Sequence, residues 1–275
     1  MSTRLSRFIR TERLPHEFCP GCSIGTVYRL AVDAVDELHL PFRDVVFLSG
    51  IGCIGRGAGY VRFDSANTVH GRPLPIATGA KLANPNLHIV VVTGDGDGAG
   101  IGLSHLIHAA RRNLDVAVIL ANNGVYGSTG GQTAPTTPME AYTPTTPYGN
   151  PEAPFDLCEL MAAAGASYVA RWTVMHTRPA INAIKKALSK KGFGFVELIA
   201  ACPTHYGART LKTRTPAECL KALRNSTMII PPNRPPDWNA QGKIPLGEFV
   251  DRTRPELVET HMRLKTRAKT SARQP

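Results

Sequence analysis

Two strand-like runs of this chain each end in residues suited to holding a ligand, and the distance between them fixes how they meet. Residues 87–93 (LHIVVVT) are almost wholly apolar and lead into Gly94-Asp95-Gly96-Asp97-Gly98. Residues 116–121 (VAVILA) lead into Asn122-Asn123. A continuous apolar run suits a strand covered on both faces, as in a parallel sheet. Only 25 residues lie between Gly96 and Asn122, room for one helix and one strand, so both motifs fall on the same edge of that sheet. That edge offers a carboxylate, carboxamides and bare glycine backbone to a single ligand. Such groups suit a hard divalent cation holding a phosphorylated cofactor, with Asp95 and Asn123 supplying oxygens to Mg²⁺. The glycines admit phosphate, and the helix start near Gly102 favours the anion. Two other readings compete. Gly94, Gly96 and Ala99 loosely satisfy the dinucleotide pattern G-x-G-x-x-G/A, but the next strand ends in Asn122-Asn123 where that pattern wants an acid. A glycine turn can also exist without any ligand.

The rest of the body alternates in the same way. Residues 26–38 carry Val27, Leu30, Ala31, Ala34, Val35 and Leu38 at helical spacing, and residues 44–48 (DVVFL) form a short buried strand. A helix over 78–83 closes at Asn84-Pro85, and another over 102–112 ends in Arg111-Arg112, where the helix dipole favours cations. Helices are expected at 155–164 and 179–190, and strands at 168–171 and 194–200. This order predicts an α/β protein, a parallel sheet with helices on both faces. Residues 124–154, rich in Gly, Thr and Pro, read as a long functional or disordered loop. From Pro203 onward order is expected to weaken, with an extended linker at Pro231-Pro232 and Pro235-Pro236 and a terminal tail holding one helix.

At 275 residues the chain can bury a full core. No apolar run approaches the ~20 residues of a membrane helix, and residues 1–17 lack the apolar stretch of a secretion signal, so a cytoplasmic protein is expected. Its formal charge of +11 is unevenly placed: residues 15–204 hold 14 Lys+Arg against 14 Asp+Glu. The excess sits at the two ends, as if basic arms lay on an acidic neighbour, either another subunit or an electron carrier. Solvated tails explain the same charge. Nucleic acid is the third and least supported such neighbour, since no zinc-finger spacing or aromatic RNA-binding motif occurs.

Cys19-Pro20-Gly21-Cys22 pairs two thiols at a helix start, Cys53 follows a strand in a glycine-rich loop, and Cys202 follows another strand. Loops after parallel strands share one edge, so these thiols can converge on the metal site as ligands of a [4Fe–4S] cluster or Zn²⁺. A redox dithiol, structural zinc, or inert buried Cys53 and Cys202 are the alternatives. Cys158 and Cys219 fall within helical patterns and read as core.

Taken in order, Phe-Cys-Pro-Gly-Cys (18–22), Ser-Gly-Ile-Gly-Cys (49–53), Thr-Val-His-Gly-Arg (68–72), the Gly-Asp loop, His-Ala-Ala-Arg-Arg-Asn (108–113) and Asn-Asn-Gly-Val-Tyr-Gly-Ser-Thr-Gly-Gly-Gln (122–132) resemble the β subunit of the 2-oxoacid:ferredoxin oxidoreductases. The resemblance covers residues 15–207, and residues 144–171 and 201–207 look most like the 2-oxoglutarate members. It implies a thiamine diphosphate-binding fold over residues 1–207 and a basic C-terminal extension, 208–275, packing on a partner subunit. It implies that Asp95, Asn123 and the carbonyl of Val125 hold Mg²⁺ on the diphosphate, and that Cys19, Cys22, Cys53 and Cys202 hold one [4Fe–4S] cluster. His70 becomes a donor to the diphosphate. Arg56, in isolation a surface arginine, becomes a candidate for the substrate carboxylate, and Ser128 shapes the substrate pocket. Further cofactor contacts are implied for Gly52, Cys53, Gly94, Gly96, Asp97, Gly127 and Thr129. Ser23 and Ser104 stand where the family has Gly and Asn, which touches local contacts but no ligand.

The activity so implied is oxidative decarboxylation of a 2-oxoacid, 2-oxoglutarate by closest resemblance, to acyl-coenzyme A with reduction of ferredoxin, or the reverse carboxylation. The glutamate that activates the coenzyme is implied to sit on an α subunit, so this chain holds half an active site; further small subunits are compatible with the pattern. A non-redox thiamine diphosphate decarboxylase subunit and a zinc-stabilised binding module are the competing classes.

Overall fold

The computed structural model describes residues 3–231 and 242–271. After a single turn, α1 (Thr3–Ser6), the chain forms α2 (Ile24–Glu37), β1 (Val45–Ser49), β2 (Asp64–Asn67), α3 (Pro73–Ala83), β3 (His88–Gly94), α4 (Leu103–Arg112) and β4 (Val116–Asn122). A tiny hairpin of β5 (Val125–Tyr126) and β6 (Gln132–Thr133) follows, then α5 (Leu157–Ala164), β7 (Tyr168–Thr173), α6 (Thr177–Ser189) and β8 (Phe193–Ile199). The C-terminal part adds α7 (Pro216–Asn225), β9 (Thr227–Ile229), β10 (Ile244–Asp251) and α8 (Leu257–Ser271).

Eight strands make one sheet in the order β2-β1-β3-β4-β8-β7-β10-β9. The first six are parallel; β10 runs antiparallel to β7, and β9 parallel to β10. Successive residues of the apolar strands serve opposite faces, as the two-residue period requires. Val90, Val92, Ile119, Val196 and Leu198 pack under α2 and α6. Ile89, Val91, Val118, Leu120, Phe193 and Phe195 pack under α3, α4 and α5. Each such side chain contributes roughly 1.5–3 kcal/mol by leaving water, which holds the sheet rigid beneath its loops. Cys158 is fully buried in the second of these layers, and Cys219 in a smaller cluster with Ile199, Ala201 and Leu223.

Three expectations from sequence change. Helix α3 starts five residues early, at Pro73, because proline at the first helical position has no N–H to lose. Residues 124–154 are organised by side chains: Thr133, Thr143, Thr145 and Thr146 exchange hydroxyl hydrogen bonds, and the Asn150 carboxamide donates to the carbonyls of Thr137, Pro138 and Glu152. Order also persists after Pro203. A turn of wide helix spans Pro203–Thr210, and β10 extends the main sheet by pairing Gly247 with Arg171 and Asp251 with Tyr168. The expected proline-rich linker lies, apart from Pro231, outside the described residues.

Candidate cofactor site at the carboxyl edge of the sheet

Strands β1, β3, β4 and β8 end side by side, with Ser49 opposite Val92, Gly94 opposite Ala121, and Asn122 opposite Ile199. The Gly-Asp loop, the Asn pair, the loop of Cys53 and the segment of Cys202 therefore open at one edge, as the spacing predicts. Between these loops lies a cavity of about 160 Å³. Its walls include Asp95, Asn123 and Val125, the three residues assigned to Mg²⁺. They also include Gly52, Cys53, His70, Gly94, Gly96 and Asp97, and on the far side Gly127, Ser128 and Thr129. Arg56 is not part of this wall; it stands half-exposed on the short helix Gly55–Tyr60 and pairs with Glu17.

The two aspartates of the loop, two residues apart, do different work. Asp97 is consumed by its neighbours. Its Oδ1 accepts from Ile51 N–H (3.0 Å), Gly71 N–H (2.7 Å) and His70 Nδ1 (2.6 Å), and its Oδ2 accepts from Thr93 Oγ1 (2.6 Å). It ties the loops after β1 and β2 to the end of β3, and it orients the His70 ring so that Nε2 is left for a ligand. Asp95 is buried and accepts from Gly96 N–H (3.0 Å), Gly124 N–H (2.9 Å) and Thr136 Oγ1 (2.7 Å). No cationic side chain pairs with it among the described residues. Burial pushes its pKa up to about 6 against the pull of those hydrogen bonds. A desolvated carboxylate held in place without a counter-charge is the donor expected of a divalent-cation ligand. The residues present thus fit a metal-held diphosphate.

Backbone geometry completes the cradle. A Cβ at Gly96 would fall 2.3 Å from the Tyr126 ring, so only glycine lets that loop pass beneath the phenol. Gly124 has φ +73°, turning the chain between Asn123 and Val125. Its N–H is shared by Asp95 and by Asn122 Oδ1 (3.1 Å), and its carbonyl accepts from Thr137 Oγ1 (2.6 Å). Asn123 Oδ1 accepts from Val125 N–H at 3.2 Å.

The four thiols are neighbours at the same edge. A Cβ on Gly127 would lie 3.3 Å from Cys53 Sγ and 4.0 Å from Cys202 Sγ. Ser23, next to Cys22, exchanges hydrogen bonds with Ala201, next to Cys202. Burial pushes the Cys22 thiol up to about 11, and Cys202, Cys53 and Cys19 push it the same way. Burial, with Cys202 and Cys19, also raises Cys53. Among the described residues, no three or more His, Cys, Asp or Glu side chains converge as a closed metal site. The wide helix after Cys202 grips the loop of the cofactor cavity: the Tyr206 ring packs on Gly124, His205 on Gly131, and Arg209 Nη1 donates to the Gly130 carbonyl (3.0 Å).

Sequence reasoning missed Thr136 and Tyr126, which contact the Gly-Asp loop from 41 and about 30 residues away. It also missed the link from Asn122 to Glu197. An apolar strand interrupted by a lone acid, FGFVELI, was the available signal for the latter.

This fold and this edge define a thiamine diphosphate-binding enzyme domain: the thiamine pyrophosphate enzyme family, C-terminal TPP binding domain, matches residues 50–198. The chain is 45% identical to the 2-oxoglutarate synthase subunit KorB of Methanocaldococcus jannaschii, over 92% of this chain and 94% of that protein. It is 49% identical to KorB of Methanothermobacter thermautotrophicus, over 92% and 88%. Its structure matches 2-oxoglutarate:ferredoxin oxidoreductase from Magnetococcus marinus, solved with 2-oxoglutarate, coenzyme A and succinyl-CoA bound, with a TM-score of 0.87 and 31% identity over 95% of this chain and 89% of that one. The chain belongs to the 2-oxoacid:ferredoxin oxidoreductase β-subunit family, among the 2-oxoglutarate synthase (KorB) members. It is accordingly an oxidoreductase subunit that binds thiamine diphosphate and works with an α subunit. Among the described residues no helix is long and apolar enough to cross a membrane.

Proposed function

We propose that this chain supplies the diphosphate-binding and electron-exit half of an enzyme converting 2-oxoglutarate and coenzyme A to succinyl-coenzyme A and CO₂, or running the reverse carboxylation, in the cytoplasm. The observation that carries this reading is the shared cavity: the predicted magnesium ligands and the Cys53 loop form its walls. Asp95, Asn123 and the Val125 carbonyl would hold Mg²⁺, and Cys19, Cys22, Cys53 and Cys202 would hold one [4Fe–4S] cluster. When bound, thiamine diphosphate supplies an electron sink for decarboxylation, and the cluster supplies one-electron transfer to ferredoxin.

The chain's own residues bind, orient and exclude water. Asp97 holds the His70 ring so that Nε2–H, when that nitrogen is protonated, donates to a phosphate oxygen. Gly96 lets its loop pass beneath Tyr126, and Gly124 lets the turn pass against Tyr206, which keeps both segments in place around the cavity. Ile24, Ile51 and Ile54 line the cavity and keep water from the reacting carbon. Arg56, released from Glu17, would meet the substrate carboxylate. The glutamate that activates the coenzyme would come from the α subunit. The basic, exposed part of α8, with further small subunits where present, would pack against that partner.

The test is anaerobic copurification with the α subunit, followed by iron, sulfide and magnesium analysis and a panel of 2-oxoacids with coenzyme A and ferredoxin. Expected are a brown complex with four irons per β chain, turnover preferring 2-oxoglutarate, and none from the isolated chain. A colourless active complex would remove the cluster from the reading, and turnover by the isolated chain would remove the shared active site.

A further inference from the structure

Glu197 is one of the least exposed acids of the molecule, and the cofactor cavity does not contain it. It sits on β8 opposite Leu120 of β4 and Arg171 of β7, in the middle of the sheet. Its two oxygens face different ways. Oε2 accepts from Arg171 Nε (2.6 Å) and from the Cys158 thiol (3.4 Å), and Arg171 passes on through Nη2 to Asp156 (2.6 Å). Oε1 accepts from Asn122 Nδ2 (2.8 Å). A carboxylate cannot donate, so this contact fixes which end of the Asn122 carboxamide faces the sheet. The other end, Oδ1, then faces Gly124 and accepts its N–H (3.1 Å). Gly124 is the left-handed residue that aims Asn123 on one side and Val125 on the other.

From this we infer that Glu197 is a positioning residue for the cofactor: through Asn122 it sets the turn that presents Asn123 and Val125 to the metal-bound diphosphate. The inference rests on the metal-held diphosphate of the proposed function. A plain counter-ion for Arg171 would stabilise the sheet equally at every residue above it. The split between the two oxygens makes Glu197 do more, because one serves the buried arginine and the other serves the turn.

The experiment measures binding of thiamine diphosphate with Mg²⁺ to the purified complex of this chain and its α partner, by equilibrium dialysis, alongside the melting temperature. Glu197→Gln can turn an N–H towards Asn122 and reverse its carboxamide; binding is expected to weaken about 10- to 100-fold, the range typical of groups behind a ligand. Asn122→Ala keeps the Glu197–Arg171 pair, so it is expected to weaken binding similarly with little change in melting temperature; it also serves if Glu197→Gln does not fold. Asn122→Asp alone sets two carboxylates together and is expected to weaken binding. Combined with Glu197→Gln it restores a donor facing an acceptor and recovers most of the affinity. Asp156→Asn, which weakens the far side of Arg171 and keeps a side-chain oxygen to accept from Glu159 N–H (2.9 Å) at the start of α5, is expected to leave affinity unchanged. The inference is overturned if Asn122→Ala binds as tightly as the parent, or if Glu197→Gln lowers the melting temperature alone. If the parent complex does not bind thiamine diphosphate, the proposed function fails and takes this inference with it.

Discussion

The two edges of the sheet differ in how their charges are satisfied. At the amino edge, the buried ammonium of Lys81 meets Asp115 at 2.8 Å and donates to the Leu87 carbonyl at 2.6 Å. Asn113 there joins three segments: its Oδ1 accepts from Phe193 N–H and Ser167 Oγ, and its Nδ2 donates to the carbonyls of Arg254 and Pro255. Glu256 closes the same edge by accepting from the N–H groups of Asp115, Val258 and Glu259. Every one of these groups finds its partner within the chain. At the carboxyl edge, Asp95 has hydrogen bonds but no cation, the turn at Gly124 puts Asn123 on the cavity wall, and two of the thiols are raised by burial. One edge is finished by folding; the other leaves places for ligands to fill.

That contrast can be broken most sharply within the Gly-Asp loop. Asp97→Ala orphans four donors and is expected to destabilise the protein by about 3–5 kcal/mol, read as a fall in denaturation midpoint whether or not cofactor is present. Asp95→Asn is expected to leave the fold in place and to cost more than about 100-fold in affinity for thiamine diphosphate with Mg²⁺, or about 2.7 kcal/mol, measured by dialysis. A result in which Asp95→Asn unfolds the chain and Asp97→Ala spares it would invert the assignment.

Protonation sharpens the same point. An acid whose pKa rises on folding holds its proton more tightly when folded. Asp95, raised from 3.8 to about 6, therefore contributes most stability to the metal-free protein below pH 3.8 and loses it as pH climbs towards 6. The swing is roughly 3 kcal/mol. Chemical denaturation between pH 4 and 7 without metal should show this decline in the parent and not in Asp95→Asn. Bound Mg²⁺ should flatten it, and metal affinity should rise over the same interval.

Smaller effects belong to the finished edge and the tail. Lys81→Met leaves Asp115 with Lys191 at 3.6 Å and is expected to cost about 1–3 kcal/mol of stability with cofactor affinity intact. Arg263→Glu with Arg267→Glu, on the exposed face of α8, should shift the melting temperature little, since surface substitutions stay within about 0.5 kcal/mol. If the tail docks on an acidic neighbour, the pair should weaken association with the α subunit at low salt, seen by analytical sedimentation.

The carboxyl edge was legible in the sequence because its logic is local. Apolar runs of β3, β4 and β8 end in their own functional residues, so a strand and its ligand group are read together. The division of labour between Asp95 and Asp97 was not legible. Both follow glycine in the same loop, and only the donors that arrive from Ile51, His70 and Gly71, on other loops, tell them apart. Thr136 and Glu197 were hidden for the same reason: their partners stand 41 and 75 residues away. β10 was missed because its sequence carries no mark of the antiparallel neighbour it finds in β7, some 80 residues earlier.

The pairing of β10 with β7 bears on where the chain can be cut. Ending it at residue 207 would strip the outer rail from β7 and lay bare a row of amide and carbonyl groups beside an apolar surface. Such a margin templates further strands from other copies, so the shortened protein should clump, even though each residue that faces the coenzyme cavity lies before the cut.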